Sequence, residues 1–339
     1  MPGHTYFVSG GCGFLGQHVV KALHDHDPAA DLRVLDLKSR PTLLGIEALP
    51  RVSMFFGDLR KPASFIGAME NVETIIHCAG IISFKRGKDP ACDANITSMQ
   101  TLLQAALAHR CRNFIFISSI SAVGRRSGRL SDETMYPSNT EKKLADPYGY
   151  SKLVCEQALV AEKDAIRGII LNPSVILGPG SPVIQRVLAW LRWIPCCPML
   201  TNLNSFVDVR DVAKAVVLAL AKGTSGERYI VTAENIDNLR FMSKVLALMD
   251  KRAPVLPVPE TACAAYDFLA QLLETVGLAK GLKRSADVVA DKAYCTEKIR
   301  RELSWQPTFT LEQTIRHMLM KSEGEDESKW QDRLTHGRV

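Results

Sequence analysis

The strongest constraint on the fold is a strand, a glycine turn and a helix in immediate succession, repeated thereafter as strand and helix in alternation. Residues 5–9 form a short β-rich run, and Ser9-Gly10-Gly11-Cys12-Gly13-Phe14-Leu15-Gly16 follows it. The turn leads into residues 14–26, where Leu15, Val19, Ala22 and Leu23 recur at helical spacing. Runs rich in Val, Ile, Phe and Leu at 32–37, 52–56, 73–78 and 113–118 read as further buried strands. Between the last two, residues 93–109 place Ile96, Met99, Leu102, Leu103 and Ala106 on one helical face. Parallel strands need long crossover connections, and those are usually helices, so this order predicts a doubly wound α/β parallel sheet covered on both faces.

Size and composition suit that expectation. At about 150 residues per domain, 339 residues correspond to two domains. With 46% apolar and 23% charged residues, the chain belongs with globular proteins and not with disordered or fibrous ones. The net charge of +6 comes from scattered basic residues, so nucleic acid is not an expected partner. Nine cysteines with no CxxC pair read as reduced thiols. Residues 1–8 lack a basic region followed by an apolar run and a cleavage site, so the expected compartment is the reducing cytoplasm. The most apolar stretch, 183–200, is interrupted by Gln185, Arg186, Arg192, Pro195 and Pro198, which argues against a transmembrane span and leaves peripheral membrane contact open.

After Ser151 the rhythm changes. A helix to about residue 165 and a strand at 168–171 precede a region broken by Pro173, Gly178, Pro179, Gly180 and Pro182. Strands near 206–209 and 228–231, with a helix at 212–221 between them, predict that the chain returns to the sheet before leaving again. The expected organisation is a Rossmann dinucleotide domain from 1–172 and 206–232, and a smaller, mostly helical substrate lobe from 173–205 and 233–320. Residues 321–339 are polar and charge-rich and read as a mobile tail.

The glycine turn carries the first chemical signal. Glycines at 10, 13 and 16 let backbone approach a pyrophosphate, and the free N–H groups and positive dipole end of the following helix favour the anion. Asp36 ends the next strand at the separation the dinucleotide fingerprint requires. A carboxylate there accepts the ribose hydroxyls of NAD. It repels a 2′-phosphate at ~4 Å by about 4 kcal/mol per unit charge at an effective dielectric near 20. NAD is the expected cofactor; Lys38 and Arg40, just beyond, keep NADP as the second candidate.

Asp146-Pro147-Tyr148-Gly149-Tyr150-Ser151-Lys152 carries the second signal, a tyrosine and a lysine at i and i+4 near a helix start and so on one face. A phenol of pKa about 10 must ionise about three pH units lower to act as a base at neutral pH, and a nearby ammonium favours that ion. Ser118 and Ser119 end the strand at 113–118, at the carboxyl edge where open parallel sheets bind ligands, so that one of them can bond the substrate oxygen. Tyr294 and Lys298 repeat the spacing without the glycine context or the strand-end serine, and read as a surface helix.

With these residues in place, the chain resembles an extended short-chain dehydrogenase/reductase, and within that family the 3β-hydroxysteroid dehydrogenase, dihydroflavonol-reductase-like and NAD-dependent epimerase group. The likeness runs from Tyr6 to about Met318. It rests on the Gly10, Gly13 and Gly16 turn with Phe14 and Leu15, Val34-Leu35-Asp36, Gly57-Asp58-Leu59, His77-Cys78-Ala79-Gly80, Asn95 and Ser118-Ser119-Ile120. Tyr148 with Lys152, Gly178-Pro179-Gly180, Phe206-Val207-Asp208-Val209, Asp211-Val212-Ala213 and Glu302-Leu303-Ser304-Trp305-Gln306-Pro307 complete it. The resemblance implies that Ser119 holds the substrate oxygen, Tyr148 is the acid/base, and Lys152 bonds the nicotinamide ribose and depresses the Tyr148 pKa. It further implies that Phe14 and Leu15 belong to the cofactor turn, that Asp58 and Leu59 line the adenine, that Cys78 and Ala79 flank the cofactor, and that Asn95 supports the site. It also implies a homodimer paired through the helices after Asn95 and Tyr148.

Some residues depart from the pattern. Asn172-Pro173 stands where relatives usually show Arg-Pro. Ile120-Ser121 follows Ser119 where the dehydratase branch carries Asp-Glu, which disfavours dehydration. Ala122-Val123-Gly124 replaces the Val-Tyr-Gly usual in sugar-nucleotide epimerases. No metal is expected: His24-Asp25-His26-Asp27 reads as a solvated helix end. Arg125, Arg126 and Arg129 read as an exposed basic loop, with guidance of an anionic substrate as the alternative. The apolar stretches 183–200 and 262–282 read first as a small core and second as the wall of an apolar pocket. The expected activity is NAD(P)-dependent interconversion of a secondary alcohol and a ketone on a hydrophobic small molecule. The alternatives are a sugar-nucleotide epimerase with retained NAD and a non-catalytic NAD(P)-binding regulator.

Overall fold

The computed structural model describes residues 4–39, 42–82, 89–125, 129–137, 146–181, 187–188, 190–275 and 290–322. Its central element is a seven-stranded sheet of β1 (Thr5–Ser9), β2 (Asp31–Asp36), β3 (Val52–Phe56), β4 (Thr74–His77), β5 (Asn113–Ile117), β6 (Arg167–Pro173) and β10 (Arg228–Val231). The strands lie in the order β10-β6-β5-β4-β1-β2-β3, and every pairing is parallel. Alternate side chains supply opposite faces. Val8, Ile76, Ile115 and Ile169 pack into one core, while Phe7, Ile75, Phe114, Phe116 and Ile170 pack into the other. Two buried faces explain why these strands read as continuous apolar runs and not as alternating ones.

Helices α1 (Phe14–His26) and α4 (Val209–Lys222) pack together on the first face; α2 (Pro90–Ala108) and α3 (Pro147–Ala161) pack together on the second. Aspartates cap three of them: the side chains of Asp89, Asp146 and Asp208 accept backbone N–H bonds at the starts of α2, α3 and α4. Proline at the first position of α2 and of α3 sets φ where no N–H is needed. Gly13 stands at the start of α1 with no side-chain cap.

The second half adds β7 (Val175–Leu177), β8 (Cys197–Met199), β9 (Leu203–Asp208), β11 (Glu234–Asp237) and β12 (Val255–Pro257). It also carries helices α5 (Asn238–Leu248), α6 (Glu260–Thr275), α7 (Glu297–Leu303) and α8 (Leu311–Ser322). Strands β11, β9 and β7 form a three-stranded sheet, and β12 pairs with β8. One expectation is corrected here. The strand near 206 does not rejoin the main sheet; β10 alone occupies the place beside β6, and β9 pairs with β7, which continues directly from β6. Apolar content identifies a strand, whereas its partner is chosen by which edge is still open.

A second correction concerns the apolar stretches of this half. Leu188, Leu191 and Cys197 join a small core with Phe206, Ile236, Val245 and Ile315. Trp193 and Phe268, in contrast, are 86% and 73% exposed, and Trp190, Tyr266 and Leu269 are exposed too. Helical periodicity shows that α6 has an apolar side, not what covers it. Residues 276–282 of that stretch, Arg40, Arg126 and all but 321–322 of the expected tail lie outside the described residues. Among the described residues, no helix is long and apolar enough to cross a membrane.

Trp305 fastens the last third of the chain to the sheet domain. It is fully buried in the core formed with α1 and α4. Its indole N–H donates to the Asp211 carbonyl at 2.9 Å, and the Asp211 carboxylate accepts the backbone N–H groups of Thr308 and Phe309 at 2.8 and 3.1 Å. Trp305→Ala is expected to lower the unfolding free energy by about 3–5 kcal/mol, the usual cost of removing a large buried aromatic. Urea titration followed by circular dichroism measures it.

Candidate active site

The order of the sheet decides where a ligand can bind. The chain winds outward from β1 through β2 to β3, then returns to place β4 on the other side of β1, so the winding reverses between β1 and β4. At such a switch point, the loops beyond the carboxyl ends of the strands diverge and leave a crevice. One cavity of about 1030 Å³ occupies it. Gly10, Gly13, Phe14, Leu15, Gly16, Asp36, Asp58, Leu59, Cys78, Ala79, Asn95, Ser119, Tyr148 and Lys152 all line that cavity.

The β1 turn is as tight as glycines allow. Gly10 has φ +70°, and a Cβ there would lie 2.7 Å from the Ala79 backbone; a Cβ on Gly16 would lie 2.1 Å from the Gly10 carbonyl oxygen. The first N–H groups of α1 lack partners within the helix, and Gly13 offers no side chain to cap them, so the turn presents donors and a positive dipole end to the cavity. Asp36 is aimed by its own backbone contacts, its two carboxylate oxygens accepting from Cys12 N at 3.0 Å and Leu37 N at 2.8 Å. An anion-accepting turn, an oriented carboxylate and a cavity of this volume fit a dinucleotide. Beyond Asp36, the Arg60 guanidinium holds the Asp58 carboxyl down at about 2.

At the other end, α3 brings Tyr148 and Lys152 to the cavity one helical turn apart. Lys152 is buried, and its ammonium donates to the Ile117 carbonyl at 2.8 Å, with the Phe116 ring 4.8 Å away. Burial pushes the Tyr148 phenol up to about 12, and a hydrogen bond with the Ser119 hydroxyl opposes that rise. Ser119 Oγ also accepts from Ser121 N at 3.1 Å. Ser118, the other strand-end serine, donates its hydroxyl to the Glu156 carboxylate, so Ser119 is the serine bonded to the phenol.

Asn95 clamps the segment after β4, accepting from Ile81 N at 2.8 Å and donating to Ile81 O at 3.0 Å. A Cβ on Gly80 would lie 3.2 Å from Lys152 Nζ and 3.8 Å from Asn95 Oδ1, so this loop lies close against the lysine. Burial pushes His77 down to about 3, and it bonds Ser9 Oγ at 2.7 Å, a neutral tie between β4 and β1. Asn172, where an arginine was the usual residue, is fully buried and donates to the Ser119 carbonyl oxygen at 3.0 Å.

Tyr294 overturns the expectation of a surface helix. It lies on an extended segment before α7, bridges to Ser131, is 2% exposed and lines the cavity. Its phenol is raised by burial and opposed by the neighbouring Arg125, while Lys298 turns away to Arg228 O and Glu227. The i, i+4 rule puts two residues on one face only where both are helical. Lys292 and Asn204 also reach the cavity from the second half, and no spacing in the sequence announces them. Arg125 belongs to both descriptions, being exposed and lining the cavity.

Comparison with known proteins agrees with this geometry. The chain is 28% identical over 277 residues to sterol demethylase protein B of Methylococcus capsulatus, covering 80% of this chain and 82% of the relative. It is 29% identical over 215 residues to 3 beta-hydroxysteroid dehydrogenase type 7 of Homo sapiens, covering 56% and 57%. The crystal structure of gox2253 shares the fold, with a TM-score of 0.81 over 99% of each chain at 24% identity. The model of the NAD dependent epimerase/dehydratase family matches residues 6–232, which include the glycine turn, Asp36 and the Ser119, Tyr148 and Lys152 set. The chain belongs to the NAD-dependent epimerase/dehydratase family, within the extended short-chain dehydrogenase/reductase class.

Proposed function

We propose that the protein interconverts a secondary alcohol and a ketone on a hydrophobic ring compound, using NAD. The observation that carries this reading is that Ser119, Tyr148 and Lys152 converge on one end of a single cavity whose other end holds the glycine turn and Asp36. Bound NAD supplies the acceptor for the hydride that leaves the alcohol carbon. Tyr148 takes the hydroxyl proton, Ser119 fixes the oxygen, and Lys152 would hold the nicotinamide ribose of bound NAD and supply a positive charge there. Ile81, Ile82, Val123, Val175 and Ile176 give the cavity apolar wall at this end. The names of two relatives speak of a sterol and a hydroxysteroid, which suits such a wall.

A second reading, sugar-nucleotide epimerisation with retained NAD, is favoured by one observation: Arg125, Lys292, Asn204 and Tyr294 add polar and cationic groups to the wall of the cavity. Such a wall suits a diphosphate. The discriminating experiment incubates the protein with NAD and a panel of 3β-hydroxysteroids, other ring alcohols and UDP-sugars, following NADH absorbance and product configuration. NADH formation with a ring alcohol supports the dehydrogenase; a sugar nucleotide inverted without net NADH replaces it with the epimerase. Tyr148→Phe is expected to lower kcat/KM by roughly 10²–10⁴, the usual contribution of a proton-transfer group.

The sign of the pH dependence follows from the raised Tyr148 phenol. Alcohol oxidation needs the phenolate, so its kcat/KM is expected to rise with pH between about 6 and 9. Ketone reduction needs the neutral phenol and is expected to stay flat over the same interval. Asp36→Ala is expected to narrow the preference for NAD over NADP by roughly tenfold or more, since it removes the repulsion of a 2′-phosphate. Dissociation constants for the two reduced cofactors, from nicotinamide fluorescence, measure it.

A further inference from the structure

Behind the reacting side chains lies a buried carboxyl that the chemistry above leaves unused. Glu156 stands one turn after Lys152 on α3 and is 2% exposed. Its Oε1 accepts from the Ser118 hydroxyl and from Asn172 Nδ2 at 2.6 Å, and the same Asn172 nitrogen donates to the Ser119 carbonyl oxygen. Oε2 faces the Arg228 guanidinium at 3.5 Å. Arg228 enters from β10, opposite Ile170 of β6, and is 3% exposed. Among the described residues, none of its three guanidinium nitrogens has a hydrogen-bond partner; the Tyr136 ring lies over the group at 4.4 Å. Arg228 therefore acts on Glu156 as a charge and not as a hydrogen-bonding fork.

A carboxyl this deep takes up a proton unless something compensates the lost hydration. Burial pushes Glu156 up; Arg228 leads the opposition, followed by the Ser118 and Asn172 hydrogen bonds and by Lys152. These groups, with the Cys155 thiol, face the carboxyl from both sides: Lys152 and Cys155 from α3, Ser118 from just after β5, Asn172 from β6 and Arg228 from β10. Asn172 supplies a hydrogen bond but no charge, so the full positive charge from the sheet side is Arg228.

We infer that Arg228 and Glu156 are a positioning pair for the reaction: the charged carboxylate ties the end of β5, where Ser119 sits, to the face of α3 that carries Tyr148 and Lys152, and Arg228 is its counterion. Neither residue touches the cavity, since neither is among its lining side chains. The inference rests on Tyr148 as the proton-transfer group. Displacing Ser119 by about 1 Å against Tyr148 is enough to cost up to about a hundredfold in rate.

Two measurements test the pair. With NAD and a 3β-hydroxysteroid as the probe, Arg228→Met is expected to lower kcat about tenfold or more. KM and the NADH dissociation constant should change less than about twofold, and Arg228→Lys should restore most of the rate. The second measurement needs no substrate. Melting of the NAD-loaded protein should show the largest loss for Arg228→Met near about pH 8 and a smaller one toward about pH 5, where the orphaned Glu156 accepts a proton. In a Glu156→Gln background the same loss should be independent of pH. A folded Arg228→Met protein with unchanged kcat overturns the inference. So does a pH-independent melting loss in both backgrounds, or a joint fall in kcat and NADH affinity that Arg228→Lys fails to restore. If Arg228→Met does not fold, Glu156→Gln carries the test, and wild-type kcat in that variant overturns it. Turnover that survives Tyr148→Phe sinks the catalytic reading instead, and the melting cycle still decides whether Arg228 and Glu156 are an ionised pair.

Discussion

Pairing of Val8 with Val34 on one side and with Ile76 on the other makes β1 the strand at which the winding of the sheet reverses. The cavity exists because the loops after β1 and β4 leave the sheet in opposite senses there. The same pairing brings Gly10 close against Ala79, so the cofactor turn and the segment that flanks it are built by one contact. The catalytic end follows from the next strands outward. β5 and β6 end beside α3; Ser118 and Ser119 follow β5, and Asn172 stands near the end of β6.

The two ends of the cavity use opposite electrostatic means. At the glycine turn, uncapped N–H groups and a helix dipole offer positive character without any charged side chain, whereas Asp36 adds one oriented negative group. At the reacting end the charges are buried: Lys152 against the Ile117 carbonyl, and Glu156 between Arg228 and two neutral donors. Burial strengthens each of these interactions and makes each costly to leave unpaired. That cost explains why two donors and a guanidinium charge from the sheet side meet at a single carboxylate.

Much of this was legible in the primary structure. Buried parallel strands leave long apolar runs, and the runs at 5–9 and 228–231 coincide with β1 and β10, while the run at 52–56 marks β3 at the less buried edge. The glycine spacing and the Tyr148 and Lys152 pair were legible because each is a local device whose geometry is set within a few residues. Asn95 was legible only through resemblance; its clamp on Ile81 joins groups fourteen positions apart. Lys292 and Asn204 left no trace, because lone residues far from the glycine turn carry no periodicity, and Tyr294 left only a spacing shared with Lys298 that holds no meaning outside a helix. The partner of β9 was misjudged for a related reason: strand content is local, and an open sheet edge is not.

The sequence by itself determined the alternation of strands and helices, the turn that accepts an anion and the two residues of α3 one turn apart, because backbone sterics and helical geometry act over short stretches of chain. Tertiary structure alone decided that these devices face one cavity, that Tyr294 is buried in its wall, and that Arg228 meets Glu156. Those contacts span dozens to more than a hundred positions, and only the stacking order of the strands brings them together.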